Sequence, residues 1–342
     1  MANAQWRWQR NVLLTLALAV LVLGVFSALE APHFTYTGFS LSGSGVTKVD
    51  EGSPAAAAGL RPGDVVDSVN GISSTSVEFF ILSHRPVTGE IWSLAVQRGG
   101  ARLRLQLSPT GLPPIDVVRA RSKSVLGLCL LAFTLWAFLT SPSTATMLLA
   151  VAGVSFGFLA LGAPYTSGVV RDVFDVLATL AFAIGTVVVV HFLLAFPARG
   201  RFLERPSAPW LLYVPTITLA IPSAVNVVLR LGVVTRVLGT LWGLFLPAYV
   251  LWAIVLLVRR YVATPRPERS THGLGLMFGA TLAAVVPFLF LASASSLWPA
   301  TARAYHLYSP YASATFSIIP LAFSVAAVRS GRSTKVVSAA AR

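Results

Sequence analysis

Charged residues are scarce in this sequence. Of its 342 residues, 11% are charged and 55% are hydrophobic, whereas a soluble globular domain carries roughly 25% charged residues. This deficit excludes a wholly water-soluble protein, and we expect lipid to solvate most of the chain. The net charge of +14 would suit a nucleic-acid ligand, but the arginines fall singly or in small groups between apolar runs, without a basic stripe interleaved with aromatic residues. We therefore expect no nucleic-acid partner.

Cysteine and histidine are also rare. The single cysteine, Cys129, lies inside an apolar run, which excludes an internal disulfide and a multi-cysteine metal site. The five histidines include no pair spaced one helical turn apart and no HExxH motif, so the zinc site of an intramembrane metalloprotease is excluded. Serine catalysis has little support, because the SGSG stretch at 42–45 and His191 would lie on opposite sides of the membrane. We expect a non-catalytic protein with no cofactor and no metal ion.

Long apolar runs fill most of the chain, each close to the roughly 20 residues that cross a bilayer. The first, Val12 to Leu29, follows a basic start that resembles a cleaved signal peptide, but its length and the interfacial Trp6 and Trp8 favour a retained anchor. Seven more runs follow, namely Ser124 to Thr140, Ala145 to Ala163, Val176 to Phe196, Trp210 to Val228, Leu238 to Val258, Leu274 to Leu297 and Tyr311 to Val328. The sequence predicts a polytopic α-helical membrane protein with about eight transmembrane helices.

The basic residues between the runs predict the orientation. With an inner N-terminus, the inner segments hold thirteen of them: Arg7, Arg10, Arg199, Arg201, Arg205, Arg259, Arg260, Arg266, Arg269, Arg329, Arg332, Lys335 and Arg342. The outer short loops hold four: Arg171, Arg230, Arg236 and Arg303. This excess favours a multi-pass protein of the bacterial inner (plasma) membrane with both termini inside. The RARSK stretch, with Arg119, Arg121 and Lys123 on the outer side, argues against it.

The segment between the first two runs has the composition of a small water-exposed domain. Ser53 is placed to cap a short helix with Pro54 at its first position, and Gly59 is placed to end that helix in a left-handed conformation. The stretch VVDSVNG predicts a strand closed by an Asn-Gly turn, and LAVQRGGARLRLQL predicts a hairpin about Gly-Gly. Thr75 and Glu78 form the pattern of a capping box that starts a second helix.

In this order the elements resemble a PDZ domain, a small α+β fold. The stretch YTGFSLS is similar to its opening glycine loop, and GVTKVDEGSPAAAAGLRPGDVVDSVNG is similar to its middle. The resemblance implies that a peptide or protein C-terminus adds as a strand and that backbone amides of the loop hold its carboxylate. A bulkier residue at Gly38 should then block the carboxylate and leave the fold largely intact. The implied peptide-binding residues are Thr37, Gly38, Phe39, Ser40, Leu41, Val77 and Ile81.

For the apolar members of this set, a second interpretation stays open. Phe39, Val77 and Ile81 would serve equally well as core residues of the small domain. Some inserts of this kind also act only as spacers or docking surfaces. The predicted division of the chain is an anchor at 1–30, an extracytoplasmic PDZ-like domain at 31–110, a seven-helix bundle at 111–330 and a cytoplasmic tail at 331–342.

The whole arrangement, one span, a PDZ-like insert and seven spans, resembles the membrane sensor region of ComP-like quorum-sensing histidine kinases. The stretches HFLLAFP and IIPLAFSVAAVR add to this resemblance, but the kinase region is absent from the sequence. We therefore expect a receptor that binds an extracytoplasmic peptide and relays the signal to a separate partner such as a histidine kinase; a homodimer is compatible with this. The alternative is an adaptor or regulator of a periplasmic or intramembrane protease. A transporter, with its fifth span broken at Pro215 and Pro222, is a third interpretation.

Overall fold

The computed structural model describes residues 2–30, 35–42, 44–73, 89–162, 168–197, 200–229, 231–297 and 302–340. Their contacts divide the chain into two compact units. One is helical and comprises Met1–Val25, Arg119–Ala163 and Asp172–Arg342, and the other comprises Phe26–Val118 and Pro164–Arg171. We describe the two units separately.

The smaller unit contains a six-stranded antiparallel sheet and a separate pair of short strands. Its elements are β1 (Thr35–Tyr36), β2 (Phe39–Ser42), β3 (Gly45–Val49), α2 (Pro54–Ala57), β4 (Val65–Val69), β5 (Ile72–Ser73), β6 (Trp92–Arg98), β7 (Ala101–Leu107) and β8 (Thr110–Gly111). The main sheet has the strand order β2-β3-β4-β6-β7, with β5 paired to β4, while β1 pairs with β8. The β1–β8 pair brings the two ends of the insert side by side, as an insertion between two helices requires.

Local sequence chemistry accounts for the turns of this unit. The Ser53 hydroxyl accepts the Ala56 amide and caps α2, with Pro54 at its first position and Gly59 following at φ +83°. Asn70 and Gly71 both have positive φ, which is the geometry of a two-residue hairpin turn. These predicted features are confirmed, as is the hairpin about Gly-Gly that pairs β6 with β7. The predicted capping box at Thr75 and Glu78 lies outside the described residues.

The smaller unit has its own hydrophobic core. Trp92 of β6 is completely buried, and alternate residues of the strands pack around it. The core comprises Val46, Ala55, Leu60, Val66, Val69, Trp92, Leu94, Val96 and Leu107. Every element of the main sheet except β5 therefore contributes to one interior, either through these residues or through the partly buried side chains that pack against them.

The larger unit is helical. Its helices are α1 (Ala2–Glu30), α3 (Pro114–Thr140), α4 (Thr144–Leu161), α5 (Gly168–Ala195), α6 (Ala208–Leu229), α7 (Gly232–Ala263), α8 (Arg266–Thr271), α9 (Leu274–Leu297), α10 (Ala302–Ala314) and α11 (Ile318–Ala340). Three of them, α1, α3 and α5, also have a few residues in the smaller unit. Short 3-10 turns cover Arg201–Glu204 and Thr315–Ser317. Many large apolar side chains are exposed on these helices, among them Leu244 at 69% and Phe290 at 71%. Such surfaces require lipid as their solvent.

Small residues allow close helix packing in this unit. Gly153 of α4 lies against Thr134 of α3, and a Cβ at Gly153 would overlap the Thr134 hydroxyl. Gly127 of α3 lies equally close to Leu161 of α4. Membrane helices associate through such close approach, because burial of apolar surface gives no advantage over lipid contact. The glycines therefore set how α3 and α4 pack.

The predicted fold class is confirmed. Within the described residues, eight helices are long and apolar enough to cross a membrane: Trp6–Leu29, Pro114–Thr140, Thr144–Leu161, Val169–Ala195, Trp210–Leu229, Val233–Ala263, Leu274–Leu291 and Tyr308–Gly331. The small β-rich unit lies between the first and second of them in sequence. Helix α6 continues through Pro215 and Pro222, so the broken span that a transporter would use is not formed there. The domain boundaries at 30, 110 and 330 stay predictions.

Candidate peptide-binding edge

Strand β2 lies at one edge of the main sheet. It pairs with β3 on one side, and within the described residues no strand pairs with its other side. The Asp50 amide donates to the Gly38 carbonyl at 2.8 Å, next to the opposed pair Phe39 and Val49. Because hydrogen-bonded and non-hydrogen-bonded pairs alternate along an antiparallel ladder, the amide and carbonyl of Phe39 point away from β3. The outer edge of β2 therefore presents backbone groups to which an extended peptide can pair.

The carbonyl groups of the loop before β2 are occupied. The Thr37 carbonyl accepts the Ala55 amide at 3.0 Å, and the Gly38 carbonyl accepts both the Asp50 amide and, at 3.3 Å, the Ser53 hydroxyl. These bonds tie the loop to α2 and fix the direction in which its peptide planes face. Because the amide of a trans peptide points opposite to the carbonyl of the same plane, the Gly38 and Phe39 amides point away from these bonding partners. Backbone amides arranged in this way form an anion-binding concavity.

Gly38 is required for two reasons. Its φ of +78° lies in the left-handed region that favours glycine. A Cβ at this position would also overlap the Ser53 side chain, which is buried and caps α2. The expectation that a bulkier residue would leave the fold largely intact is therefore wrong, since the loop or the helix cap would have to move. Sequence spacing could not reveal this contact, because it joins residues 15 positions apart.

Tyr36, Lys48 and Asp50 form a cluster of interacting side chains next to the loop. The Tyr36 hydroxyl donates to Asp50 Oδ2 at 2.7 Å, and Lys48 Nζ lies 2.7 Å from Asp50 Oδ1. Burial, reinforced by the hydrogen bond to Asp50, raises the pKa of Tyr36 above its ordinary value of 10.0. Tyr36 therefore stays a neutral hydrogen-bond donor at physiological pH. The Lys48 side chain is 65% exposed, and Lys48 opposes Ser40 of β2, so its ion pair with Asp50 lies near the candidate edge.

The predicted site residues fall into two groups. Thr37 to Leu41 form the loop and most of β2, and Phe39 to Ser42 is the strand that was predicted. The side chains of Phe39 and Leu41 are partly buried and pack against the core, whereas Ser40 is exposed. Val77 and Ile81, the predicted opposite wall, lie outside the described residues. That these residues bind a peptide stays a prediction.

The same unit contains an ion pair between Arg98 and the buried Asp64. Asp64, which is 1% exposed, accepts Arg98 Nε at 2.7 Å and Arg98 Nη2 at 2.8 Å, together with the Arg61 amide at 2.8 Å. Arg98 also donates to the Gly59 carbonyl at the end of α2. The hydrogen bond from Arg98 keeps the pKa of Asp64 below its ordinary value, against the opposing effect of burial. This bidentate pair joins β6 to the turn before β4 and was not predicted from the sequence.

Comparison with known families supports the assignment of the smaller unit. The PDZ domain family matches residues 45–79, which cover β3, α2, β4 and β5. No curated protein matches the chain. Together with the eight apolar helices, this match defines a multi-pass membrane protein that carries a PDZ domain. PDZ domains generally bind peptide or protein C-termini. The match begins at residue 45, after the loop that would hold the carboxylate.

Proposed function

We propose that this protein is a non-catalytic receptor of a bacterial inner membrane. Its PDZ domain binds the C-terminus of an extracytoplasmic peptide or protein at Thr37 to Leu41, and the helical unit relays binding to a separate signalling partner. The observation that carries the proposal is the edge of β2. There the amide and carbonyl of Phe39 point away from β3, and the carbonyls of Thr37 and Gly38 in the preceding loop are already hydrogen-bonded. The resemblance to the ComP-like sensor region supports the relay step.

Two properties of the edge favour a carboxylate over other ligands. Charge-assisted hydrogen bonds from backbone amides to a carboxylate are roughly twice as strong as neutral ones. The glycine at φ +78° lets the backbone approach the anion closely.

The proposal is tested with the full-length protein in neutral detergent and a pooled library of peptides with random C-terminal residues. We expect a subset of peptides with shared C-terminal residues to be retained, because a strand-addition site reads alternate side chains while the backbone supplies affinity. Retention of no peptide above the level of detergent-only beads would contradict the proposal. Retention of peptides that share an internal motif but not a C-terminal one would also contradict it.

The orientation follows from the distribution of basic residues. Thirteen lie in the proposed inner segments and four in the proposed outer loops, which favours an orientation with the PDZ domain outside the membrane. With the native Cys129 changed to serine, we expect Ala57→Cys in α2 to react with a membrane-impermeant maleimide in intact cells. The matched variant Thr271→Cys, at the end of α8, should react only after the membrane is permeabilised. Both positions are exposed, so the reverse labelling pattern would overturn this orientation.

A further inference from the structure

A cleft lies between α3 and α10 of the helical unit, with basic and hydroxyl side chains among the residues that line it. It is lined by Arg119, Ser122, Lys123, Leu126, Ser309, Pro310 and Ser313. Its volume is about 170 Å³, far above the roughly 10–15 Å³ that a single water molecule needs. All of these residues belong to one compact unit. The cleft is therefore a feature of the helical bundle and separate from the PDZ domain.

The lining combines positive charge with hydroxyl groups. Arg119 and Lys123 are four residues apart and so occupy one face of α3, as Ser309 and Ser313 occupy one face of α10. The Ser313 hydroxyl donates to the Ser309 carbonyl at 2.7 Å, and Ser122 and Ser309 also line the cleft. No acidic residue is among the described residues that line the cleft. Two cations and neutral hydroxyls favour an oxyanion with several acceptor atoms, such as a phosphate group.

The cleft also lies where a lipid headgroup would be. Residues Pro114–Thr140 and Tyr308–Gly331 are both candidate membrane spans, and the lining residues belong to the first half of one and the first turns of the other. Leu126 and Pro310 also line the cleft, and most of its accessible surface is apolar. Immediately after the cleft, Val125 and Leu128 of α3 are 51% and 46% exposed, a surface suited to acyl chains. A phosphate that continues into an acyl chain fits both surfaces, whereas a free phosphate uses only the first.

We propose that this cleft binds the phosphate group of an anionic phospholipid. With the orientation proposed above, the binding also explains why Arg119 and Lys123 lie on the side of the membrane where the positive-inside rule disfavours them. Basic pockets between membrane helices are known to bind lipid headgroups. The site is independent of the peptide-binding edge and stands or falls separately from it.

Native mass spectrometry of the full-length protein tests the proposal. The protein is released from mixed micelles that contain phosphatidylglycerol and phosphatidylcholine, and the bound lipid is counted for each variant. We expect preferential retention of phosphatidylglycerol by the wild type, and a loss of affinity of about fivefold in Lys123→Gln, since one basic residue near an anionic headgroup contributes roughly this factor. Inorganic phosphate, added in a second arm to protein already loaded with lipid, should not displace it.

The matched control is Arg121→Gln. Arg121 lies in the same basic stretch and carries the same charge, but it is exposed and does not line the cleft. We expect this variant to retain phosphatidylglycerol like the wild type. Equal losses in Lys123→Gln and Arg121→Gln would overturn the proposal, because a general surface charge would then explain binding. Equal retention of both lipids by the wild type, or displacement of the lipid by inorganic phosphate at comparable concentration, would also overturn it.

Discussion

Replacing Gly38 with alanine is expected to lower the affinity of the full-length protein for C-terminal peptides by at least about tenfold. Hydrogen bonds to a charged group contribute roughly 1.5–3 kcal/mol each, so the loss of one of them has this effect. The added Cβ would overlap the buried Ser53 side chain, and the φ of +78° is strained for any residue with a side chain. Both effects displace the loop amides from the position in which they meet a carboxylate. The affinity is measured by titration of the best-retained peptide.

Gly52→Ala is the matched control. Gly52 also has a positive φ, of +70°, but apart from its two chain neighbours a Cβ there would meet nothing within 4 Å. Its substitution carries a similar backbone strain without the contact to Ser53, and we expect peptide affinity within about twofold of the wild type. Hydrogen exchange of the β6 amides reports whether the core of the PDZ domain survives in both variants. Unchanged affinity in Gly38→Ala, with the core intact, would show that the loop does not hold the ligand.

Asp64→Asn is expected to lower the free energy of opening of the β4–β6 region by about 2 kcal/mol, the typical contribution of hydrogen bonds to a charged group. The carboxylate is buried and accepts three hydrogen bonds from Arg98 and Arg61. An amide at this position retains one acceptor oxygen and loses the charge. The measurement is hydrogen exchange of Trp92–Arg98 in the full-length protein. The control is Asp67→Asn, a change three residues further on, in β4, at a carboxylate that makes no ion pair within the described part of the chain.

The same carboxylate predicts a dependence on pH. Because the pKa of Asp64 is lower in the folded protein than its ordinary value of 3.8, the ion pair stabilises the domain above about pH 4. That stabilisation is lost as the pH falls through the folded-state pKa. The difference in opening free energy between the wild type and Asp64→Asn should therefore shrink below about pH 4. A difference that stays constant between pH 7 and pH 3 would show that the charge of Asp64 does not stabilise this region.

The sequence was most informative where structure depends on neighbouring residues. Ser53 with Pro54, Asn70 with Gly71, and the Gly-Gly pair after Arg98 determine their turns through conformations that few other residues adopt, so each turn could be located from a few letters. The membrane spans were equally accessible, because crossing a bilayer imposes a length and an apolar composition on each helix. These features are local, and local chemistry predicts them.

Contacts between distant residues could not be predicted in this way. The Tyr36–Asp50 hydrogen bond joins residues 14 positions apart, and the Arg98–Asp64 pair joins residues 34 apart. In the sequence, Arg98 is a charged residue next to a predicted hairpin turn. Its neighbours do not indicate that its guanidinium binds the buried carboxylate of Asp64. The cleft between α3 and α10 combines residues nearly 190 positions apart in sequence. From the sequence, the RARSK stretch is only an exception to the positive-inside rule. The fold adds that Ser309 and Ser313 line the same cleft as Arg119 and Lys123.

The candidate edge was found from the sequence only in part. The stretch TGFSLS was predicted as the loop and pairing strand, and the bounds of β2 agree with this prediction. The bonds that fix the loop come from α2 and β3, through Ala55, Ser53 and Asp50. Of these three, the sequence assigns a role only to Ser53, as the cap of a short helix. All three orient the backbone of the loop, and so the helix that looked purely structural determines whether the loop can bind an anion.

The most direct test of the central claim compares one peptide in two chemical forms. The best-retained peptide is titrated against the wild-type full-length protein as the free acid and as the C-terminal amide, which has the same side chains and lacks the charge. If the amides of the loop at Thr37, Gly38 and Phe39 hold a carboxylate, the amidated peptide binds at least about tenfold more weakly. Equal affinity for the two forms would contradict the account.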